Sequence, residues 1–128
     1  MRLIQGLPDE DFKRALDRIK AKTGELWAPS FVLERVKSGN AGLFRFVDES
    51  PFAWMVVERY DQGKAWMNVW LMEGSPGPHR TAEMVRLIDE LCIRLGCERW
   101  RFTGRKGWER ALHGYARPVA TVYERELI

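Results

Sequence analysis

Three apolar runs separated by short turn sequences constrain the fold of this chain more than any other feature. The runs span residues 43–47, 52–58 and 65–72, and turn-forming residues occupy 48–51 and 61–64 between them. Such runs predict three β-strands joined as an antiparallel meander. The second and third runs are apolar at both alternating sets of positions, which is typical of strands buried on both faces. We therefore expect a central sheet with helices on each side.

Helical periodicity flanks the meander. Two short helices are predicted before it, the first opening at Leu7-Pro8-Asp9 and the second with Ser30 as its N-cap. The longest helix is predicted over about 81–95, because six apolar residues fall on one stripe before Gly96. A strand over 98–103, a short helix around Trp108 and a final strand over 119–126 complete the order ααβββαβαβ.

Length and composition indicate one α+β domain spanning residues 1–128, since 128 residues suit a single domain and 45% of them are hydrophobic. No apolar run approaches the roughly 20 residues of a membrane span, and residues 1–6 lack the apolar stretch of a secretory signal. We expect a protein made and used inside a cell, without a membrane partner. Cys92 and Cys97 are the two cysteines and have no clustered histidines, so buried thiols are expected and no metal site.

This order of elements, with a turn-rich loop before the longest helix, resembles the fold of the GCN5-related N-acetyltransferases (GNAT). The resemblance covers nearly the whole chain and implies a mixed, mostly antiparallel sheet covered by helices on both faces. Residues 104–115, followed by 119–123, are similar to the closing helix, Gly-aromatic turn and last strand of small acetyltransferase-like proteins encoded by tailed bacteriophages. That similarity implies a protein made in the cytoplasm of a bacterial host, and a virion or virion-assembly component.

The GNAT resemblance also implies a cofactor position. In that family acetyl-CoA lies where the sheet splays, and its pyrophosphate rests on a loop at the N-terminus of the long helix, where free amides favour anions. The family loop reads Arg or Gln, two residues, Gly, one residue, then Gly or Ala, and residues 74–79 match it only at Gly77. The residues that the resemblance assigns to the cofactor are Leu71, Met72, Gly77, His79, Arg80 and Thr81.

Two departures argue against a bound cofactor. Pro78 removes an amide from the loop, and His79 places a side chain where phosphate would approach the backbone. The alternative is that His79 and Arg80 contact phosphate with their side chains. We therefore expect no cofactor, and acetyl-CoA only if the chain is an active enzyme.

Catalysis in the GNAT family requires a base for the acceptor amine and often a tyrosine for the leaving thiolate. The family's tyrosine position falls on Arg110 here. Glu58 and Glu73 are the candidate bases at strand ends, and Tyr115 or Tyr123 is the candidate acid. The alternative for each is an ordinary solvated side chain.

Four residues of the third meander strand, Trp66, Asn68, Trp70 and Met72, are predicted to share one face. Core packing with one satisfied amide is the favoured interpretation of this face. The alternative is that Asn68 holds an acyl-pantetheine amide or a substrate.

Basic residues concentrate toward the C-terminus, since residues 94–128 carry eight basic and four acidic side chains. Arg99, Arg101, Arg105 and Arg110 form the candidate interaction surface. Arginine beside tryptophan is typical of protein interfaces, whereas the order of elements does not fit an RNA-recognition fold. We expect protein partners, in a larger assembly or a homo-oligomer, and no nucleic acid.

The sequence favours a GNAT-like structural or interaction component without catalytic activity. The alternative is an active acetyl-CoA-dependent N-acetyltransferase acting on an amine of a small molecule or a protein.

Overall fold

The computed structural model describes residues 1–23, 27–61, 63–74, 77–104 and 106–127. The strands are β1 (Arg2–Gly6), β2 (Gly42–Val47), β3 (Pro51–Tyr60), β4 (Trp66–Gly74) and β5 (Arg99–Phe102). The helices are α1 (Glu10–Thr23), α2 (Pro29–Lys37), α3 (Pro78–Arg94) and α4 (Lys106–Leu112). From α1 to α4 the elements follow the predicted order, and the α+β class is confirmed.

The five strands form one sheet in chain order, from β1 at one edge to β5 at the other. The first three pairs of neighbours are antiparallel, whereas β4 and β5 are parallel. A parallel neighbour needs a long crossover, and α3 supplies it. The sheet is thus mixed and mostly antiparallel, as predicted, and β3 lies at its centre.

Helices cover both faces of this sheet. On the α1/α2 face the buried core comprises Phe12, Leu16, Val32, Val36, Ala41, Leu43, Val56 and Leu71. On the α3/α4 face it includes Phe46, Met55, Met67, Val69, Met72, Met84, Ile88, Leu91 and Trp108. Each large apolar side chain contributes about 1.5–3 kcal/mol when fully buried. Burial on both faces explains why the second and third runs carry apolar residues at both alternating sets of positions.

The chain ends differ from the prediction. β1 was not expected, because its sequence RLIQG holds few apolar residues. It forms by pairing with β2, from Arg2 opposite Val47 to Gly6 opposite Leu43. The strand predicted over 119–126 is wrong, since these residues are exposed and lie outside the sheet. Strand propensity depends on a neighbouring strand, and within the described residues no strand pairs with this segment.

Two helices begin at a proline, and their first residues differ from the predicted ones. α2 begins at Pro29 with Ala28 as its N-cap, so the predicted cap at Ser30 is wrong. α3 begins at Pro78, three residues before the expected start. In both helices proline takes the first turn, where its fixed φ is suitable and its missing amide costs little. Among the described helices, none is both long and apolar enough to span a membrane.

Both cysteines are buried free thiols, as predicted. Burial is the largest influence on the Cys92 thiol and raises its pKa, and the neighbouring Cys97 adds to the effect. A thiol with a raised pKa is mostly protonated and reacts slowly. Cys92 therefore belongs to the core under α3.

Candidate functional site

A β-bulge at Trp70 divides β4 into two halves. Val57 lies opposite Val69 and Val56 lies opposite Leu71, so Trp70 has no counterpart on β3. An extra residue of this kind bends its strand and increases the local twist. The bulge directly follows Val69, the last residue of β4 that pairs with β5. From this point β4 continues beside β3 to Gly74, whereas β5 ends at Phe102, so β4 and β5 pair along only the first half of β4.

The bulge also changes which face each side chain occupies. Leu71 packs on the α1/α2 face and Met72 on the α3/α4 face, while Trp70 packs on the α1/α2 face like Leu71. The prediction that Met72 shares a face with Trp70 is therefore wrong, because the extra residue shifts the alternation by one. The sequence contained no signal for this shift.

The N-terminus of α3 follows the second half of β4. Gly77 is the N-cap with φ 70° and ψ 167°, and no side chain caps the helix among the described residues. Thr81 is buried and its hydroxyl donates to the Gly77 carbonyl at 2.9 Å. A β-carbon at Gly77 would lie 3.3 Å from the His79 ring in a backbone conformation that favours glycine. Residues 75 and 76 of the predicted loop lie outside the described residues.

His79 and Arg80, the two side chains expected to contact phosphate, lie in different environments. His79 is exposed. Arg80 is half-buried, and its Nε lies 3.2 Å from Asp48 Oδ2 while its guanidinium carbon lies 4.3 Å from the centre of the Phe52 ring. Arg80 is thus held toward the turn between β2 and β3. A phosphate bound by Arg80 would have to compete with the Asp48 carboxylate.

Glu58 is the buried member of a polar network on the α1/α2 face, which we call the Glu58 network (Arg35, Glu58, Tyr60 and Asn68). The Arg35 guanidinium donates to Glu58 Oε2 from Nε at 3.0 Å and from Nη2 at 2.8 Å. The Tyr60 hydroxyl donates to Oε1 at 3.1 Å, and Asn68 Nδ2 approaches the same oxygen at 3.4 Å. Glu58 is 7% exposed. Buried charge is stable only with such partners.

The local folding of the Glu58 network is only partly visible in the sequence. Tyr60 follows Glu58 by two residues, so strand alternation places both on one face, and Asn68 is opposite Glu58 in the sheet register. Arg35 comes from α2, and nothing in the sequence connects it to Glu58. Burial, and then the Glu58 carboxylate, raise the pKa of Tyr60 above its ordinary value. Tyr60 therefore remains a hydrogen-bond donor at neutral pH.

The other two candidate catalytic residues lie apart from Glu58. Glu73 is on the second half of β4, and its Oε1 accepts a hydrogen bond from Arg18 Nη2 at 2.9 Å. Tyr115 is 49% exposed in the turn after α4. The three residues are therefore placed on β3, on β4 and beyond α4, rather than on one element.

A cationic cavity lies beside the first half of β4. Its lining consists of Lys64, Trp66, Arg99 and Arg101, and its volume is about 280 Å³. Trp66 stacks on Tyr60 with ring centres 4.7 Å apart, and the Arg101 guanidinium carbon lies 5.4 Å from the Trp66 ring. An aromatic wall with three cationic side chains is suited to an anionic group. Of the predicted interaction surface, Arg99 and Arg101 line this cavity, Arg110 is exposed on α4, and Arg105 lies outside the described residues.

Solved structures share this architecture. A ribosomal-protein-alanine N-acetyltransferase from Brucella melitensis biovar Abortus 2308 has a TM-score of 0.62 at 9% identity, over 99% of this chain and 100% of that chain. An aminoglycoside acetyltransferase from an uncultured soil metagenomic sample has a TM-score of 0.61 at 12% identity, over 99% and 96% of the two chains. The fold is GNAT-like.

A protein described as a transcriptional regulator also shares this architecture. A transcriptional regulator from Bacillus halodurans C-125 has a TM-score of 0.66 at 14% identity, over 98% of this chain and 100% of that chain. No protein family model and no curated protein sequence matches the chain. At these identities the comparisons show the fold, and function has to be argued from the site.

Proposed function

We propose that this GNAT-like domain acts through contacts with other protein chains and does not transfer acetyl groups. The state of Glu58 carries the proposal. Both of its carboxylate oxygens accept hydrogen bonds inside the chain, Oε2 from Arg35 and Oε1 from Tyr60. A general base must direct a free lone pair at the proton it removes. Glu58 would have to break contacts of this network to do so.

Other parts of the predicted machinery support the same proposal. Glu73 is paired with Arg18, and Arg80 is paired with Asp48. Arg110 stands where the resemblance implies the tyrosine acid, and a guanidinium does not give up its proton in proteins. Glu73 and Arg80 thus have structural partners where catalysis would need free groups, and Arg110 cannot act as the acid.

The residues at the α3 N-terminus fit the pyrophosphate of acetyl-CoA poorly. Pro78 has no amide hydrogen to offer, and the nearby Arg80 guanidinium already contacts Asp48. The remaining donors are backbone amides of the first turn and the exposed His79. We derive no catalytic step through this cofactor.

A second candidate is acetyl-CoA-dependent transfer to an amine of a small molecule or a protein. The bulge at Trp70 favours it, because β4 continues past the end of β5 and leaves its second half paired on one side within the described strands. In this candidate the backbone of Leu71 and Met72 would lie along the pantetheine arm. Gly77, His79, Arg80 and Thr81 would meet the pyrophosphate. Glu58 or Glu73 would be the base, with Tyr115 as the acid.

The proposed partner is a protein chain that meets the exposed arginines Arg99, Arg101 and Arg110. Arginine beside tryptophan is typical of protein interfaces, and Arg101 contacts Trp66. A GNAT-like fold is also found in a protein described as a transcriptional regulator, and a fold does not determine activity. The virion setting rests on the similarity of residues 104–123 to phage-encoded proteins and stays a prediction.

Calorimetric titration of the full chain with acetyl-CoA tests the proposal. We expect no saturable heat up to millimolar cofactor. Micromolar binding, about −8 kcal/mol, that Gly77→Glu abolishes would overturn the proposal in favour of the second candidate. Gly39→Glu is the matched control, because Gly39 also has a positive φ, 82°, and has open space around it. Loss of binding in both variants would indicate damage to the fold rather than to a phosphate site.

A further inference from the structure

The cationic cavity lies at the end of β4 away from the N-terminus of α3. Trp66, which lines it, is the first residue of β4, and Gly74 is the last. A strand advances about 3.3 Å per residue, so roughly 25 Å of strand separates these two residues, and α3 begins beyond Gly74, at Pro78. Trp66 also lies on the α1/α2 face, since its neighbour Met67 packs on the α3/α4 face. The cavity is therefore separate from the loop that the resemblance assigns to acetyl-CoA.

The sheet register brings the side chains of the cavity together. Two cross-strand rows run across β3, β4 and β5 on the α1/α2 face, namely Tyr60, Trp66, Arg99 and then Glu58, Asn68, Arg101. Arg99 and Arg101 are two residues apart on β5, so both side chains project from the same face of that strand. Both line the cavity, and Lys64 joins them from the turn between β3 and β4. Three cationic side chains thus surround one opening.

An aromatic stack holds Arg101 in place. The Tyr60 hydroxyl donates to Glu58 Oε1 at 3.1 Å, and the Trp66 ring stacks on the Tyr60 ring with centres 4.7 Å apart. The Arg101 guanidinium carbon lies 5.4 Å from the centre of the Trp66 ring. A side chain that is already positioned loses less conformational entropy when a ligand binds. Arg101 is therefore preorganised to receive an anion.

The positive charge of the cavity exceeds the negative charge around it. Among the described residues, Arg99 and Arg101 form no ion pair. Lys64 Nζ lies 3.4 Å from Glu98 Oε2, but these side chains are 71% and 58% exposed, and such surface pairs contribute little to stability. The Glu58 carboxylate is occupied within the Glu58 network. With Glu98 counted against Lys64, the two arginines are left for a ligand.

We propose that the cationic cavity binds the dianion of a phosphate monoester. Such a group carries a charge of about −1.5 to −2 at pH 7, which matches the charge of Arg99 and Arg101 together. A carboxylate carries only one negative charge. Guanidinium groups also bind phosphate oxygens through paired hydrogen bonds. The inference goes beyond the proposed function and does not depend on it.

The size of the cavity limits the ligand. Its volume is about 280 Å³, close to the lower limit of about 300 Å³ for small-molecule pockets. The group that carries the phosphate is therefore small. A small phosphorylated molecule and a phosphorylated side chain of a protein share this chemistry, and the experiment below distinguishes them.

Titration of the full chain with phenyl phosphate, followed by NMR, tests the site. The reporter is the indole N–H signal of Trp66, which is identified by its loss in Trp66→Phe. We expect a saturable shift with a dissociation constant of about 1 mM or less. Arg99→Met and Arg101→Met should each raise that constant by about tenfold or more, because each removes a charge-assisted contact.

Arg2→Met is the matched control. Arg2 is exposed on β1, at the opposite edge of the sheet, and its loss changes the net charge of the chain by the same amount. It should change the dissociation constant by less than about twofold, because salt screens exposed charges at that distance. A shift that does not saturate, or equal weakening by Arg2→Met, would mean general attraction to a basic chain and would overturn the proposal.

Matched ligands test the chemistry of the bound group. Benzoate has the same ring and a single negative charge, so it should bind at least about tenfold more weakly than phenyl phosphate. Equal binding of the two would refute a site for a dianion. A capped phosphoserine peptide that binds more tightly than phenyl phosphate would identify a protein side chain as the source, and weaker binding of the peptide would identify a small molecule.

The chain's own carboxylates are tested separately. Glu124→Gln with Glu126→Gln, in the exposed C-terminal segment, should leave the affinity for phenyl phosphate unchanged. A tenfold gain in affinity would show that this segment occupies the cavity, and the proposal would fail. The acetyl-CoA titration is judged with Gly77→Glu and this one with the Arg99 and Arg101 variants, so failure of the proposed function and failure of this site are distinguishable.

Discussion

Replacing Arg35 by Met leaves the buried carboxylate of Glu58 without its cationic partner. Methionine keeps the length and helix propensity of the side chain while it removes the guanidinium. The Glu58 side chain is 8% exposed and that of Arg35 is 32% exposed. Removing one member of a fully buried pair costs about 3–5 kcal/mol. Because a third of Arg35 is exposed, and Tyr60 and Asn68 still donate to Oε1, we expect a loss of about 2–3 kcal/mol in the free energy of unfolding.

Urea unfolding measures this loss. With a slope of about 1–3 kcal/mol per molar urea, the midpoint should fall by about 0.7–3 M. Arg14→Met is the matched control, because Arg14 pairs with Asp11 on the surface of α1 with side chains 65% and 84% exposed. That variant should change stability by less than about 0.5 kcal/mol.

A double-mutant cycle decides the cause of the loss. Glu58→Gln removes the charge that Arg35 compensates, so the two substitutions together should cost less than their sum by at least about 1 kcal/mol. If Arg35→Met costs no more than Arg14→Met, or if the two effects are additive, Glu58 is not held by Arg35. The argument against Glu58 as a base would then fail.

Two further predictions concern groups with shifted pKa values. The Phe12 amide donates a hydrogen bond to Asp9 Oδ1 at 2.8 Å. This bond and the nearby Arg45 lower the pKa of Asp9 below 3.8. Asp9→Ala should lower the free energy of unfolding by about 1 kcal/mol at pH 7, which is more than Asp9→Asn should. Because the folded pKa is lowered, this cost is present above pH 3.8 and disappears as the pH falls through the lower folded value. Urea unfolding at pH 7 and at a series of pH values below 3.8 measures this loss. Burial raises the pKa of Cys92 above 9.0, so its stabilising effect is complete below that value and is lost as the pH rises through the folded pKa. Maleimide labelling of Cys92 at pH 8 should be far slower in the folded chain than in urea, and equal rates would contradict its burial.

The central part of the fold could be predicted because its signals are local. Alternating apolar runs with turn residues between them identified the meander, and the apolar stripe identified α3. The ends of the chain could not be predicted in the same way. β1 forms through pairing with β2 although its own residues are mostly exposed, whereas residues 119–126 have strand-forming residues and pair with none of the described strands. Strand formation at an edge depends on a neighbour that the local sequence does not reveal.

The candidate site was predictable only in part for a similar reason. Glu58, Glu73 and Gly77 were identified as candidates from their positions at strand and helix ends. Their partners Arg35, Arg18 and Asp48 come from distant parts of the chain. Whether a carboxylate is free or paired is decided by those long-range contacts. Sequence patterns therefore identify the candidate groups better than they identify their chemical state.

The bulge at Trp70 has a consequence for how this chain tolerates changes in length. Before the bulge the odd-numbered residues of β4 face α3, and after it the even-numbered ones do, so Val69 and Met72 enter the same core. Loss of Trp70 alone would remove the extra residue and leave the other residues of β4 on their present faces, whereas loss of any other residue of β4 would turn the residues on one side of the gap toward the wrong layer. A residue added at 61–64, in the turn between β3 and β4, disturbs no such alternation. One-residue deletions scanned across residues 61–74 should therefore be tolerated at the turn and at Trp70, and should disrupt folding when they remove other residues of β4.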